Sequence, residues 1–494
     1  MKNKLLLCAF ILCWLVGPTI FLLGEIRMGV MGFPLDDSWI HQTYARSLAA
    51  GQGWSYGGGL PSAGSTSPAW TMLQVPAYWL QISPVIWSYL LGILLLLMNA
   101  SLVFLWSRTI VPKAAPFAFV FALGEWHLVW AGVSGMETIL FCCWLSAVIY
   151  FVNRMQRTES NHHPFPLVLG GFVIGVGLWI RPESILMSGI AILVLVCAWG
   201  KNRFRSDSFL ILGSGLAFMS YFAFELALHG RIWPNTFYAK PAEYIALTSS
   251  SLLIRLSQPW MSLLAGPFAV LWIFLIAFIV IQFHRQSWRN LWPLLWVISH
   301  LVIFSIQLPA TYQHGRYFMP ILPILMGLGV CGYFLLEDRL GNFVIPRILM
   351  RAGWSSAILL TLIFLWLGAN QYGMDVGVIQ SEMVYSAEWI RDHTPPQAII
   401  AAHDIGALGF WGNRSIVDLG GLTDLDALNL LSGRETLNEY LTSKRVNYLL
   451  TFPGLYPVDL KECTPLMQTK SYFSPSMGGE NMAVYRWGEG CRTP

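Results

Sequence analysis

The chain has 494 residues, of which 55% are hydrophobic and only 11% are charged. Its mean hydropathy of +0.56 excludes an ordinary soluble domain. Runs of roughly 18 or more apolar residues recur along most of its length, and such runs can cross a hydrocarbon core about 30 Å thick. The sequence therefore predicts a polytopic helical membrane protein. A net charge of only +4 argues against nucleic acid as a partner.

The first apolar segment is similar to a secretory signal, but no small-x-small cleavage site follows Leu23, so we expect a retained helix. We predict about eleven crossings in all. They fall at residues 5–23, 85–106, 115–132, 137–152, 166–180, 184–199, 208–228, 260–283, 291–308, 318–336 and 354–370. An odd number of crossings places the two termini on opposite sides of the membrane.

The positive charges give the orientation. With Lys2 and Lys4 on the cytoplasmic side, every even-numbered connection also lies inside, and each carries at least two arginines or lysines. The first loop (residues 24–84), the turns GVSGMET, IRPES and QLPATYQHGRYF, and the chain after Asn370 then lie outside. We expect a multi-pass protein of the cell (inner) membrane with its C-terminal part outside the cytoplasm.

The pattern changes near residue 371. SEMVYSAEWIRDHT is typical of an amphipathic helix, and AIIAAH, SIVDLG and VNYLLTF are typical of short strands around a helix at ETLNEYLTSK. We predict a transmembrane domain over residues 1–370 and an extracytoplasmic α/β domain over residues 371–494. Cys463 and Cys491 are an even pair in this outer domain, which predicts a disulfide.

Two adjacent carboxylates, Asp36 and Asp37, open the helical segment SWIHQTYARSLAAG, whose apolar stripe predicts a helix lying at the membrane interface. Acids at a helix N-terminus cap free amides and are favoured by the helix dipole. They also suit a second use, in which one carboxylate is a general base and its neighbour orients it or binds a cation. Spacing alone leaves both interpretations open.

Several cations fall in the predicted outer turns, where a groove among the helices can take a lipid phosphate. Arginine suits phosphate oxygens and lysine supplies a compact charge. The candidate phosphate ligands are Arg181, Lys240, His314 and Arg316. The alternative for each is an interfacial side chain that reaches the headgroups, and we favour that alternative for Arg231 and Arg255.

Ordered blocks of the sequence resemble a known family. PLDDSWIHQTYARSLAAGQGWSYGGG followed by STSPAW is similar to the first outer loop of polyprenyl-phosphate-dependent GT-C membrane glycosyltransferases, in the bacterial branch near the mycobacterial arabinofuranosyltransferases and the dolichyl-phosphate-mannose-protein mannosyltransferase-like superfamily. SGMETIL, IRPES, RIWPNTFYAK, GRYFMPILP and IAAHDIGALGFWGNRSIVDLGGL resemble that branch in order and spacing. The WIHQ after the acids departs from the family pattern.

The resemblance implies a GT-C fold and an enzyme that passes a sugar from a polyprenyl-phosphate donor to a glycan, lipid or protein acceptor at the outer face. By position Asp36 matches the catalytic base best and Asp37 second, and Glu137 matches a second acidic position. An Asp37 site for Mg²⁺ or Mn²⁺ is a further option. The other candidate substrate contacts are His41, Tyr44, Asn235, Tyr238, Tyr317 and Asp404.

The chemistry of the donor predicts the mechanism. Phosphate is a good leaving group, so the enzyme needs charge stabilisation and activation of the acceptor hydroxyl, which favours direct displacement with inversion.

Two other classes of function remain open. A transporter or flippase of lipid-linked glycans tends to have ionisable groups or broken helices near the membrane midplane. A membrane scaffold with an outer binding domain predicts that Asp36→Asn is silent.

Overall fold

The computed structural model describes residues 2–57, 61–157, 164–199, 204–340, 343–456, 460, 463–488 and 491. Of the sequence features above, Gly58, Gly59, Lys201 and Arg203 lie outside this set, as do the side chains of Lys2, Lys4 and Arg205.

Helices dominate the described chain up to residue 393. They are α1 (Lys2–Arg27), α2 (Asp37–Ala49), α3 (Pro68–Trp79), α4 (Pro84–Ile110), α5 (Ala115–Gly124), α6 (Trp126–Val133), α7 (Thr138–Met155), α8 (Pro164–Gly175), α9 (Ser184–Trp199), α10 (Phe204–His229), α11 (Asn235–Glu243), α12 (Leu252–Leu263), α13 (Phe268–His284), α14 (Trp292–Gln307), α15 (Tyr312–Gly315), α16 (Leu322–Leu340), α17 (Val344–Val378) and, after a π-helical turn at Ile379–Val384, α18 (Tyr385–His393).

The rest of the chain carries a mixed sheet. Its strands are β1 (Ile399–Ala402), β2 (Ser415–Asp418), β3 (Tyr448–Thr451), β4 (Met467–Gln468) and β5 (Ala483–Arg486), and its short helices are α19 (Gly406–Trp411), α20 (Leu428–Leu431), α21 (Leu437–Ser443) and α22 (Phe473–Ser476). The strand order is β2-β1-β3-β5-β4, with β1 parallel to β2 and β3 and with β5 antiparallel to its two neighbours.

Each predicted crossing falls on a helix, but their lengths differ. Among the described residues five helices are long and apolar enough to cross a membrane alone, or seven if two bent pairs each count as one crossing, and three apolar helices are shorter. The count of about eleven and the orientation stay predictions. The boundary after residue 370 also stays a prediction, and α17 runs across it.

Two predicted crossings are interrupted. The segment 115–132 is broken at Glu125, whose carboxylate accepts a hydrogen bond from the Leu128 amide and so caps α6. The axis of α6 is bent by 55° from the preceding helical segment. The segment 260–283 begins too early, because α12 ends at Leu263 and meets α13 at 113°. These two predicted crossings are therefore not single straight helices.

Helix α2 is not an interfacial helix with one wet face. Nine of its residues are buried, including the polar side chains of His41 and Gln42. It packs between α3 and α19, and its Ile40 and Tyr44 share a hydrophobic core with Ile400 and Leu450 of the sheet. This core fixes the loop of residues 24–84 against the C-terminal part of the chain.

The C-terminal part of the chain from residue 371 onward, called the tail below, matches its predicted elements closely. The three predicted strands are β1, β2 and β3, and a capping box of Thr436 and Glu439 opens α21. The residues GALGFW between β1 and β2 form the short helix α19. Cys463 and Cys491 form a disulfide with their Cα atoms 5.1 Å apart.

Candidate functional site

A cavity of about 680 Å³ opens between the helices and the loop of residues 24–84. Its apolar wall comes mainly from α9, α11 and α14, with Ile185, Leu186, Phe237, Ile303, Phe304 and Ile306. Its charged and polar lining contains seven of the residues predicted from sequence: Asp37, His41, Glu137, Arg181, Lys240, Arg316 and Tyr317. An apolar groove with clustered charges suits an amphiphilic ligand.

Asp37 and Arg316 form the first ion pair of the cavity. Arg316 Nη2 donates to Asp37 Oδ2 at 2.6 Å and to the Tyr317 hydroxyl at 3.2 Å. The Arg316 side chain is only 5% exposed, and its Nε and Nη1 atoms are buried without a hydrogen-bond partner. Burial alone would raise the pKa of Asp37, but the charges of Arg316 and Lys240 outweigh it and lower that pKa. Arg316 therefore keeps donors free for a further anion.

Glu137 and Arg181 form the second ion pair. Arg181 Nε and Nη2 each lie 2.7 Å from Glu137 Oε1, and His41 Nε2 lies 3.5 Å from Glu137 Oε2. Burial would raise the pKa of Glu137, but Arg181 and His41 outweigh it and hold that pKa well below its usual range. Glu137 thus stays ionised and fixes Arg181, whose Nη1 also donates to Glu183.

Asp36 points away from this cavity lining. Its Oδ2 accepts from the Gly406 amide at 2.6 Å and its Oδ1 from the Ala407 amide at 2.7 Å. Both amides belong to the first turn of α19, and a Cβ on Gly406 would lie 2.0 Å from the Asp36 carbonyl oxygen. Burial, together with the Asp404 carboxylate, raises the pKa of Asp36 to about 7, while the two amides act in the opposite direction. Asp36 joins α2 to α19.

Lys240 connects the cavity to the tail. Its Nζ lies 3.6 Å from Glu243, and Glu243 lies 3.3 Å from His403 Nε2. His403 Nδ1 lies 3.4 Å from Asp404. Burial would lower the pKa of His403, but its two carboxylate neighbours raise it to about 10. Asp404 thus has His403 as its partner. It is not among the residues that line the cavity.

Four other predicted residues lie outside the cavity lining. Tyr44 is fully buried, and its hydroxyl contacts Ser62 and the Gly64 amide. Asn235 is buried at the start of α11, and Tyr238 packs under Arg231. His314 Nε2 lies 2.7 Å from Asp375 on α17. The interpretation of His314 as a direct phosphate ligand does not suit this position.

The acids do not fit a divalent cation. Asp37 has Arg316, Lys240 and His41 around it, and both oxygens of Asp36 accept backbone amides. Among the described residues no group of three or more His, Cys, Asp or Glu side chains is arranged to hold a metal ion.

Sequence reasoning missed three contributors: Thr236, Glu183 and Glu243. Glu243 follows Lys240 by three residues on a helix, a spacing that predicts an ion pair. His300 Nε2 lies 2.8 Å from the Tyr317 carbonyl oxygen, which supports the turn that carries Arg316.

Known proteins resemble the chain in sequence and in structure. The family described as a domain of unknown function (DUF8728) matches residues 372–485. The terminal beta-(1->2)-arabinofuranosyltransferase of Mycobacterium tuberculosis H37Rv is 25% identical over 220 residues, which are 42% of this chain. This match spans only about a third of that relative, 35% of its length.

The solved structures match nearly the whole chain. ArnT from Cupriavidus metallidurans bound to undecaprenyl phosphate has a TM-score of 0.57 at 14% identity, covering 98% of this chain and 99% of that one. The oligosaccharyltransferase AglB of Archaeoglobus fulgidus, in complex with an inhibitory peptide and a dolichol-phosphate, has a TM-score of 0.51 at 11% identity over 90% and 69%. The chain has the GT-C fold. The predicted resemblance is confirmed at this level.

Proposed function

We propose that the protein is a membrane glycosyltransferase that transfers a sugar from a polyprenyl-phosphate donor to an acceptor hydroxyl at the outer face of the cell membrane. The observation that carries the proposal is Arg316, whose buried Nε and Nη1 have no partner beside Asp37 and along an apolar cavity wall. A buried guanidinium with free donors is costly unless an anion completes it.

The donor phosphate fits the cluster of Arg316, Lys240 and Arg181. Arg316 supplies two free donors, and Lys240 supplies an ammonium at the cavity wall. Arg181 is held by Glu137 and Glu183, so it contributes to phosphate binding mainly through the electrostatic field of its charge. The isoprenoid tail then lies along Ile303, Ile306 and the other apolar side chains of the wall.

Asp37 is the better candidate for the general base. It lines the cavity and its side chain is 31% exposed, whereas both oxygens of Asp36 are engaged by α19. Arg316 holds Asp37 through Nη2 alone, so one guanidinium can bridge the base and the leaving phosphate. Competition by the phosphate for that guanidinium weakens the ion pair and makes Asp37 a stronger base.

The reaction is a direct displacement. The acceptor oxygen attacks the anomeric carbon, its proton passes to Asp37, and the bond to the phosphate oxygen breaks with both electrons going to the phosphate. The cations stabilise the charge that develops on that phosphate. Inversion at the anomeric carbon is the expected stereochemistry, and a retained configuration in the product would contradict a single displacement.

The test uses the purified full chain in nanodiscs. A panel of undecaprenyl-phosphate-linked pentoses and hexoses is offered with a lipid-extract acceptor pool, and release of undecaprenyl phosphate is followed. Arg316→Ala should raise the donor KM about 10- to 100-fold, because charge-assisted hydrogen bonds to phosphate are lost. The exposed Arg231, replaced by Ala, is the matched control and should behave as wild type. Flipping of the donor without sugar transfer would instead favour the transporter.

A further inference from the structure

The turn before Arg316 has an unusual backbone. Gln313, His314 and Gly315 have φ values of 54°, 59° and 67°, so three consecutive residues are left-handed. Only glycine adopts this conformation freely, and two of the three residues carry a Cβ. At Gly315 a side chain is excluded further, because a Cβ would lie 2.9 Å from the Ser262 Cβ. Contacts elsewhere must stabilise a turn of this kind.

Within this turn His314 contacts Asp375. Asp375 lies on α17 and is itself fixed by three groups: His314 Nε2 at 2.7 Å, Trp130 Nε1 at 3.0 Å and Gln371 Nε2 at 3.0 Å. The imidazole also packs edge-on against the rings of Trp126 and Trp130, each 5.4 Å away. The His314 side chain is therefore held from several sides.

The turn leads directly to the anion-binding candidate. The Arg316 amide donates to the Gln313 carbonyl at 3.2 Å, and the Phe318 amide donates to the Gly315 carbonyl at 2.7 Å. A change in the backbone of the left-handed residues would therefore redirect the Arg316 side chain. That side chain must keep one direction to remain buried and to contact Asp37.

We propose that His314 is a positioning residue: its contact with Asp375 holds the left-handed turn that directs the free donors of Arg316 into the cavity. The inference rests on the proposed function, since the donor phosphate is the anion in question. It assigns the histidine an indirect role in donor binding and links that binding to α17, the helix that continues into the C-terminal part of the chain.

The experiment compares His314→Ala with His314→Gly in the purified full chain. Both variants lose the contact with Asp375, but glycine keeps the left-handed conformation accessible. Binding of undecaprenyl phosphate in nanodiscs should weaken about tenfold in the alanine variant and by only a few fold in the glycine variant. Asp375→Asn combined with His314→Ala should weaken binding no further than His314→Ala alone, because the two residues act as one unit.

A second measurement does not depend on the lipid. Amide hydrogen exchange of residues 308–318 in the protein without lipid should accelerate in His314→Ala and less in His314→Gly, with no change in His284→Ala, which removes an exposed histidine at the end of α13. Equal exchange in wild type and His314→Ala, or equal binding by the two, would overturn the positioning role. If wild type and Arg316→Ala bind the lipid phosphate equally, the proposed function fails, and exchange alone then decides whether the contact holds the turn.

Discussion

Asp36 and Asp37 are neighbours in sequence but belong to two different regions of the molecule. Asp37 faces cations at the cavity, and Arg316 holds one of its oxygens. Asp36 faces α19, where two backbone amides hold both of its oxygens. At the cavity the buried Arg316 keeps two donors without partners, whereas at α19 both oxygens of Asp36 accept backbone amides. A reacting group needs the first kind of surroundings, and a structural contact needs the second.

The same difference appears in the pKa values. Nearby cations overcome burial and lower the pKa of Asp37, whereas Asp36 has no such cation and burial raises its pKa to about 7. Adjacent positions at a helix N-terminus thus carry carboxylates with opposite electrostatics. Substitutions at the two acids should therefore affect different properties of the protein, namely turnover for Asp37 and stability for Asp36.

The largest effect is expected at Asp37. Asp37→Asn should lower kcat about 10³-fold, because removal of a general base costs on the order of 10² to 10⁴ in rate. Asp36→Asn, the matched control, should keep a rate within about tenfold of wild type, since its role is in packing. The assay is initial-rate transfer from the polyprenyl-phosphate sugar. Loss of turnover in Asp36→Asn with full activity in Asp37→Asn would reverse the assignment.

A smaller effect, on stability, is expected at Asp36. Asp36→Ala removes both acceptors for the Gly406 and Ala407 amides and should destabilise the contact by about 1–3 kcal/mol. Amide exchange over residues 405–412 should accelerate, and the thermal midpoint should fall. Asp37→Ala should leave exchange in that segment unchanged. Normal protection of α19 in Asp36→Ala would show that the two amides find other acceptors.

Much of the fold and of the charged cavity lining could be predicted from the sequence. Hydrophobic runs located the helices, and short apolar segments located β1, β2 and β3. Outer-turn cations and acids predicted most of the charged cavity lining, because an isolated charge in an apolar chain needs a partner or a ligand.

The rest depends on contacts that no local pattern reveals. Asp36 and the Gly406 amide are 370 positions apart, so spacing could not show that α19 binds the first acid and leaves the second for the cavity. His314 seemed a phosphate ligand because it adjoins Arg316, and only the path of α17 brings Asp375 to it. The bends at Glu125 and Leu263 were missed although Gly124-Glu125 interrupts the first apolar run and Gly266-Pro267 interrupts the second.

The smallest effect concerns His403, which joins the cavity helix α11 to the tail through Glu243. Its pKa is about 10 in the folded protein because Glu243 and Asp404 outweigh burial, against an ordinary value of 6.5. A raised pKa means that the folded state keeps a proton which the unfolded state releases. The stabilisation is therefore complete below pH 6.5 and is lost as the pH rises through 10. His403→Gln should remove this pH dependence, so that Tm falls by roughly a few degrees less between pH 6.5 and 10 than in the wild type.

The control is His393→Gln, which changes an exposed histidine stacked on Trp389. It should keep the wild-type slope of Tm against pH. Equal slopes in all three proteins would mean that the His403–Glu243 contact does not couple α11 to the tail.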